Sequence, residues 1–208
     1  MILATVVAVA ACTPAAALAP PAVAPTDAPV TTVPTAAGTD IAIVPVAPTP
    51  TVSRTWSPPA RSKATGCAIQ AGLPDPACTH GAVDPRVTQA NISTTICTRG
   101  YTATVRPPLN ITKPIKIERM AGGLSGQPLA TADLDHLVPL ELGGAPADVA
   151  NLWPEPWAGD GNAHQKDTVE TFLNREVCRG TMQLAEAQRQ IATDWLSVYQ
   201  TCGLHLTP

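Results

Sequence analysis

The residues best suited to chemistry are an acid–histidine pair, Asp135-His136, followed by Asn151, His164 and Lys166. An imidazole that is neutral near pH 7 can take a proton from water. A carboxylate beside it offers a hard oxygen ligand to Mg²⁺, which uses few protein ligands and keeps several waters. Hydrolysis of a phosphodiester is one reaction that needs a base and a divalent ion together, so it asks for residue types of this kind.

Three short segments in this order resemble the HNH endonucleases, namely Asp133-Leu134-Asp135-His136, Asn151-Leu152-Trp153 and Asn162-Ala163-His164-Gln165-Lys166-Asp167. The resemblance is centred on residues 132–166, and its flanks are similar to a bacterial secreted or lipoprotein-like subgroup. It implies a ββα-metal fold. In that fold the acid–histidine pair lies on the first strand, an asparagine on the return strand, and a histidine or asparagine at the start of the helix.

The resemblance also implies a role for each residue. It assigns Asp135 and His164 to the metal, His136 to the general base, and Asn151 to the loop that orients His136. Mg²⁺ is the expected cofactor, with Mn²⁺ or Ni²⁺ as alternatives. Asn162 competes with His164 as the helix-side ligand, because the gap of 13 residues between Asn151 and His164 is longer than in compact HNH motifs.

Charge is distributed unevenly, with a net of +5 over residues 86–132 and −7 over residues 133–208. A local basic region beside an acidic centre suits a nucleic acid substrate. We expect DNA, with RNA as the alternative, and no obligate protein partner. The phosphate contacts are assigned to Arg106, Lys113, Lys116 and Lys166. The alternative function is a catalytically silent HNH-fold domain that binds or structures the cell envelope.

A hairpin is predicted to carry the acid–histidine pair. Alternating residues at 134–142 predict the first strand, and Gly143-Gly144 predicts a turn. Residues 149–153 predict a short return strand, which Pro154 and Pro156 are expected to stop.

Two helices are predicted to follow the hairpin. The first, over residues 162–178, has an apolar stripe of Val169, Phe172, Leu173 and Val177, and Gly180 lies just beyond its end. The second covers residues 182–199 and has an inner face of Leu184, Ala187, Ile191, Trp195 and Tyr199.

A short extension is predicted before the hairpin. Asp84-Pro85 has the residue types of a helix start, with Val87, Ala90 and Ile92 facing inward. Residues 101–106 alternate and predict a strand that Pro107-Pro108 closes. The expected fold class is therefore α+β, built on a ββα-metal core with an additional C-terminal helix and a disordered N-terminal tail.

The N-terminal third of the chain has the composition of a targeting segment and a linker. Residues 1–19 predict a signal peptide or a lipoprotein signal, whose lipobox would end at a lipidated Cys12. Residues 20–60, rich in Pro, Ala and Thr, predict a disordered linker, and residues 61–208 the HNH-like domain with its core motif at 132–178. The apolar run at 1–11 is shorter than the ~20 residues of a membrane span. We therefore expect a secreted or cell-envelope protein, with a lipid anchor as an alternative and no transmembrane segment.

The remaining cysteines are spaced as structural residues, because no two form a CxxC pair that would suit a zinc site. In an exported protein such cysteines form disulfides. At least two bridges are expected among Cys67, Cys78, Cys97, Cys178 and Cys202, with their connectivity open.

Overall fold

The structure is a computed structural model, and it describes residues 66–70, 72–124 and 126–204. The predicted signal segment with Cys12, the predicted linker at 20–60 and residues 61–65 lie outside the described residues. The predictions of lipidation and of a disordered tail therefore stay predictions.

The described residues form a mixed α and β fold, as the sequence predicts. Its elements in chain order are β1 (Ile69–Gln70), β2 (Leu73–Pro74), α1 (Tyr101–Val105), α2 (Leu109–Gly123), β3 (Ala132–His136), β4 (Leu152–Pro156), α3 (Ala163–Cys178) and α4 (Leu184–Thr201). Strand β1 pairs with β2, and β3 pairs with β4, both antiparallel.

The predicted hairpin is present, but its strands have different bounds. Strand β3 ends at His136, since the chain then turns into a short 3-10 helix at Leu140–Leu142. The return strand begins at Leu152 rather than at residue 149, and it runs through both prolines that were expected to stop it. In the observed register Asp135 lies opposite Trp153 and His136 opposite Leu152.

The prolines are tolerated because, within the part of the chain that the structure describes, β4 pairs with β3 alone. Two hydrogen bonds flank the ladder, from the Leu137 N–H to the Asn151 carbonyl and from the Trp157 N–H to the Thr131 carbonyl. They show that the backbone N–H and C=O groups of the odd-numbered residues of β4 point towards β3, and those of the even-numbered residues point away from it. The missing N–H groups of Pro154 and Pro156 therefore lie on the free edge of the strand. A proline at such a position removes no ladder hydrogen bond.

The two faces of the hairpin have different neighbours. Leu134 and Leu152, on the even-numbered face, pack against Ile111 and Ile115 of α2. Asp135, on the odd-numbered face, contacts Lys166 of α3. The hairpin therefore lies between α2 and α3, and the acid–histidine pair forms the last two residues of β3.

Helices α3 and α4 confirm the predicted stripes. Val169, Leu173 and Val177 of α3 are buried in one cluster with α4 residues, of which Leu184, Ala187, Ile191, Trp195 and Tyr199 were predicted. Asn162 caps α3 in a capping box: its side chain accepts from the Gln165 N–H at 3.2 Å, and the Gln165 side chain accepts from the Asn162 N–H. The cap fixes where α3 begins, and so which of its residues face the hairpin.

The predictions for the extension before the hairpin are partly wrong. The alternating segment at 101–106 is the helix α1, and Asp84-Pro85 forms a turn in which the Asp84 carboxylate accepts from the Arg86 N–H at 3.0 Å. A 3-10 helix follows only at Gln89–Thr94. Val87 is buried as expected, whereas Ala90 is exposed.

Helix α2 was not predicted at all. It contains Pro114, which removes one backbone donor inside the helix. Burial of Ile111 and Ile115 against Leu152 accounts for the helix in spite of that loss, because two apolar side chains gain more than one hydrogen bond contributes.

Two disulfides are present among the described residues, which confirms the expectation of at least two bridges. They join Cys67 to Cys78 and Cys97 to Cys178. The second fastens the C-terminal end of α3 to the segment before α1. Within the part of the chain that the structure describes, no helix is both long and apolar enough to cross a membrane.

The two bridges should differ in their contribution to stability. They close loops with sequence separations of 11 for Cys67–Cys78 and 81 for Cys97–Cys178. Replacing Cys97 and Cys178 by Ala should lower the free energy of unfolding by about 4.5 kcal/mol. Replacing Cys67 and Cys78 by Ala should lower it by about 3 kcal/mol. Urea unfolding of the two double variants measures this. A larger loss from the short loop would contradict the loop-entropy explanation.

Candidate active site

Asn151 braces the loop that joins the two strands. Its side chain is fully buried, accepts from the Val138 N–H at 2.8 Å, and donates to the carbonyls of Val138 at 2.9 Å and Ala145 at 3.2 Å. Gly144 leaves the space for this contact, because a Cβ there would lie 1.7 Å from the Val138 oxygen. These bonds hold the loop between β3 and β4 together.

His136 is held at the end of β3 by the same loop. Its ring is buried, and Nε2 lies 2.9 Å from the Pro146 carbonyl oxygen. A carbonyl can only accept, so in the neutral ring Nε2 carries the proton and Nδ1 the lone pair. Burial lowers the pKa of the His136 imidazole, against the opposing charge of Asp135, and nearby Arg106 and Lys166 lower it further. The neutral ring with a basic Nδ1 is therefore favoured at pH 7.

Lys166 lies at the centre of the site, and its side chain is 0% exposed. The ammonium donates to Asp135 Oδ2 at 2.6 Å, to the His136 carbonyl at 2.9 Å and to Glu170 Oε1. Burial alone would lower the pKa of the Lys166 ammonium, but Asp135, Glu170 and Glu155 outweigh it and raise that pKa above its ordinary value. The ammonium thus uses all three donors and stays charged.

Glu155 is a further buried acid that the sequence analysis did not select. It is 1% exposed, and its Oε1 has no hydrogen-bond partner. Burial, followed by the negative charge of Asp135, raises the pKa of the Glu155 carboxyl well above its usual range. The strand period could have identified it, because Asp135 and Glu155 lie on the odd-numbered face of the paired strands.

The two predicted helix-side ligands lie elsewhere on α3. His164 is exposed, and the centre of its ring is 5.4 Å from that of Trp157. Since His164 and Lys166 are two residues apart, their side chains project about 200° apart around the helix, and Lys166 is the one that meets Asp135. Asn162 has its amide engaged in the helix cap and in a 2.8 Å bond to the Gly159 carbonyl.

The predicted metal ligands therefore have separate partners. Asp135 binds an ammonium, and His164 packs against an indole. Among residues 66–70, 72–124 and 126–204, no three His, Cys, Asp or Glu side chains form a group that could hold a metal ion. The pair Asp135 and His164 does not fit a shared ion in this arrangement, and the metal requirement stays a prediction of the resemblance.

The cations assigned to phosphate contacts fall into two groups. Arg106 is exposed and close enough to influence the pKa of His136, and Lys113 and Lys116 lie on α2. Lys166 is buried among carboxylates and is not placed for contact with a phosphate.

Sequence reasoning missed a second group of arginines. Arg99, Arg175 and Arg179 line a cavity of about 480 Å³ together with Glu141. Burial and the charge of Asp167 raise the pKa of the Glu141 carboxyl, and the charge of Lys166 opposes them. Arg99 and Arg175 lie far apart in the sequence, on segments that the Cys97–Cys178 bridge joins. A local sequence pattern therefore could not have placed them together.

Compared with known proteins, the chain matches no family model, no curated protein and no solved structure.

Replacing Asn151 by Ala should destabilise the fold, because two backbone groups of Val138 and one carbonyl of Ala145 lose a buried partner. We expect the free energy of unfolding to fall by about 3 kcal/mol. Asn110→Ala, at an exposed position of α2, is the control and should change it by less than about 0.5 kcal/mol. Equal unfolding curves in urea for the two variants would contradict the bracing role of Asn151.

Proposed function

We propose that this chain is an HNH-like endonuclease that hydrolyses phosphodiester bonds of DNA outside the cytoplasm. The observation that carries the proposal is His136, a buried imidazole kept neutral at pH 7 and held by the Pro146 carbonyl in a loop that Asn151 braces. Its position at the end of the first strand of an antiparallel hairpin, with a helix against that hairpin, agrees with the order that the HNH resemblance implies.

The chemistry assigned to His136 is general base catalysis. Its Nδ1 would take a proton from a water molecule as the water oxygen attacks the phosphorus atom, the P–O bond to one sugar oxygen breaks, and solvent protonates that leaving oxygen. The Pro146 carbonyl then stabilises the imidazolium, because it accepts the hydrogen bond from Nε2 in both protonation states. The resemblance also implies a divalent ion, but the carboxylate of Asp135, its expected ligand, is engaged by Lys166.

Substrate binding is assigned to exposed cations near this base. Arg106 supports the assignment, because its charge acts on His136. Arg99 and Arg175 line the adjoining cavity and would contact further phosphates along the same strand. Location outside the cytoplasm is supported by the two disulfides, which suit an oxidising compartment.

One observation favours the second candidate, a catalytically silent envelope domain. The carboxylate of Asp135, the expected metal ligand, is engaged by Lys166. A domain that has exchanged its metal for an ammonium could keep its fold and its binding surface without cleaving. Cleavage by the purified chain discriminates between the two candidates.

Replacing His136 by Ala should lower the rate of plasmid cleavage by about 10²–10⁴-fold, because the reaction loses its general base. The assay is run with Mg²⁺, with Mn²⁺ and with EDTA, after circular dichroism has shown that the variant is folded. His80→Ala, which removes an exposed histidine, is the matched control and should cleave as the wild type does. Normal turnover in folded His136→Ala would overturn the assignment, and an inactive wild type would favour the silent domain.

Arg99 and Arg175 should each contribute one phosphate contact. In the His136→Ala background, which prevents cleavage, Arg99→Gln or Arg175→Gln should each reduce the slope of log affinity against log salt by about 0.9. Fluorescence anisotropy with duplex DNA measures the slope. Arg189→Gln removes an exposed arginine that pairs with Glu186 on α4 and should leave the slope unchanged. Equal slopes in all variants would exclude the cavity from the binding surface.

A further inference from the structure

We propose that the Lys166 ammonium is the resident cation of a site formed by the carboxylates of Asp135 and Glu170 and the His136 carbonyl, with the Glu155 carboxyl group beside it. In this proposal a divalent ion does not bind these carboxylates in the wild-type chain, and a divalent site is created when the ammonium is removed. The inference goes beyond the proposed function and holds whether or not the chain cleaves DNA.

The contacts of the ammonium are those of a cation in a complete site. Its three acceptors are Asp135 Oδ2 at 2.6 Å, the His136 carbonyl oxygen at 2.9 Å and Glu170 Oε1. Two carboxylates and a backbone carbonyl are also the hard oxygen ligands that Mg²⁺ and similar ions take from proteins. Since an ammonium has three N–H donors, no donor is left over and no further acceptor is needed.

Burial and helix geometry keep the ammonium in place. Lys166 is 0% exposed, while the side chains of Asp135 and Glu170 are 19% and 14% exposed. Lys166 and Glu170 are four residues apart and so lie on the same face of α3. A charge buried to this extent cannot move into solvent without leaving the carboxylates unpaired, which is the costly alternative for a buried ion pair.

Glu155 is a second, independent indication that the site is built around a cation. It is 1% exposed, its Oε1 has no hydrogen-bond partner, and it lies close enough to Asp135 for the charge of Asp135 to raise its pKa. The three acids thus have more carboxyl oxygens than the three N–H donors of the ammonium can satisfy. Without Lys166, three acids would adjoin one another with no cation among them, and an added divalent ion would relieve their mutual repulsion.

The test uses Mn²⁺ alone as the probe and the full chain as the protein. Binding is followed by the electron paramagnetic resonance signal of free Mn²⁺ and by the melting temperature, up to about 1 mM ion, the weak end of hard-ion sites. The variants are Lys166→Gln, the double variant Lys166→Gln/Asp135→Asn, and the control Lys113→Gln, which removes an exposed lysine of α2.

The expected result is one bound Mn²⁺ per chain in Lys166→Gln, with a rise in its melting temperature, and no bound ion in wild type, Lys113→Gln or the double variant. A wild-type chain that binds Mn²⁺ and loses it on Asp135→Asn would overturn the proposal, as would folded Lys166→Gln without a gained site. If Lys166→Gln does not fold without divalent ions, recovery of its helical signal in Mn²⁺ but not in K⁺ supports the proposal, and no recovery overturns it. None of these readouts involves cleavage, so an inactive chain can still pass this test.

Discussion

A buried ammonium fixes how the helix after the hairpin lies against the hairpin. Lys166 of α3 reaches Asp135 and the His136 carbonyl on β3, and it also binds Glu170 one turn further along its own helix. Breaking a buried pair of this kind by removing one partner typically costs about 3–5 kcal/mol, because the other charge is left uncompensated. Rotations of α3 that move Lys166 away from the carboxylates are therefore excluded, and the exposure of His164 on another side of the helix is a consequence.

The ion pair and the candidate base are joined through one residue. The backbone carbonyl of His136 accepts from Lys166, while its ring donates to the Pro146 carbonyl. Asn151 then ties the loop containing Pro146 back to Val138 and to Ala145. Because each of these groups is buried and paired, a shift of α3 would be transmitted to the imidazole. The geometry of the base therefore depends on the helix, because the Lys166 side chain of α3 contacts the His136 backbone.

Sequence patterns predicted those parts of the fold in which burial follows one regular period. The stripes of α3 and α4 repeat at the helical period, and the structure confirms both helices to within a few residues, with a kink in α4 at Asp194. The errors occur where tertiary packing overrides a local signal. Pro114 does not prevent α2, because Ile111 and Ile115 are buried against Leu152, and Pro154 does not stop β4, because its nitrogen lies on a free edge. Neither the burial of these isoleucines nor the edge position of Pro154 can be predicted from the local sequence, because both depend on neighbouring elements.

The candidate site shows the same limit for chemistry. Residue types and order selected Asp135, His136 and Asn151 as candidates, but they did not reveal what Asp135 binds. A lysine in the first turn of a helix has the sequence signal of a solvated residue, and His164 has that of a metal ligand. The structure shows the opposite for both residues, because Lys166 lies on the face of α3 that contacts Asp135 and His164 lies on another face. An ammonium and a divalent ion can satisfy the same oxygens, so the choice between them depends on the rotation of a helix.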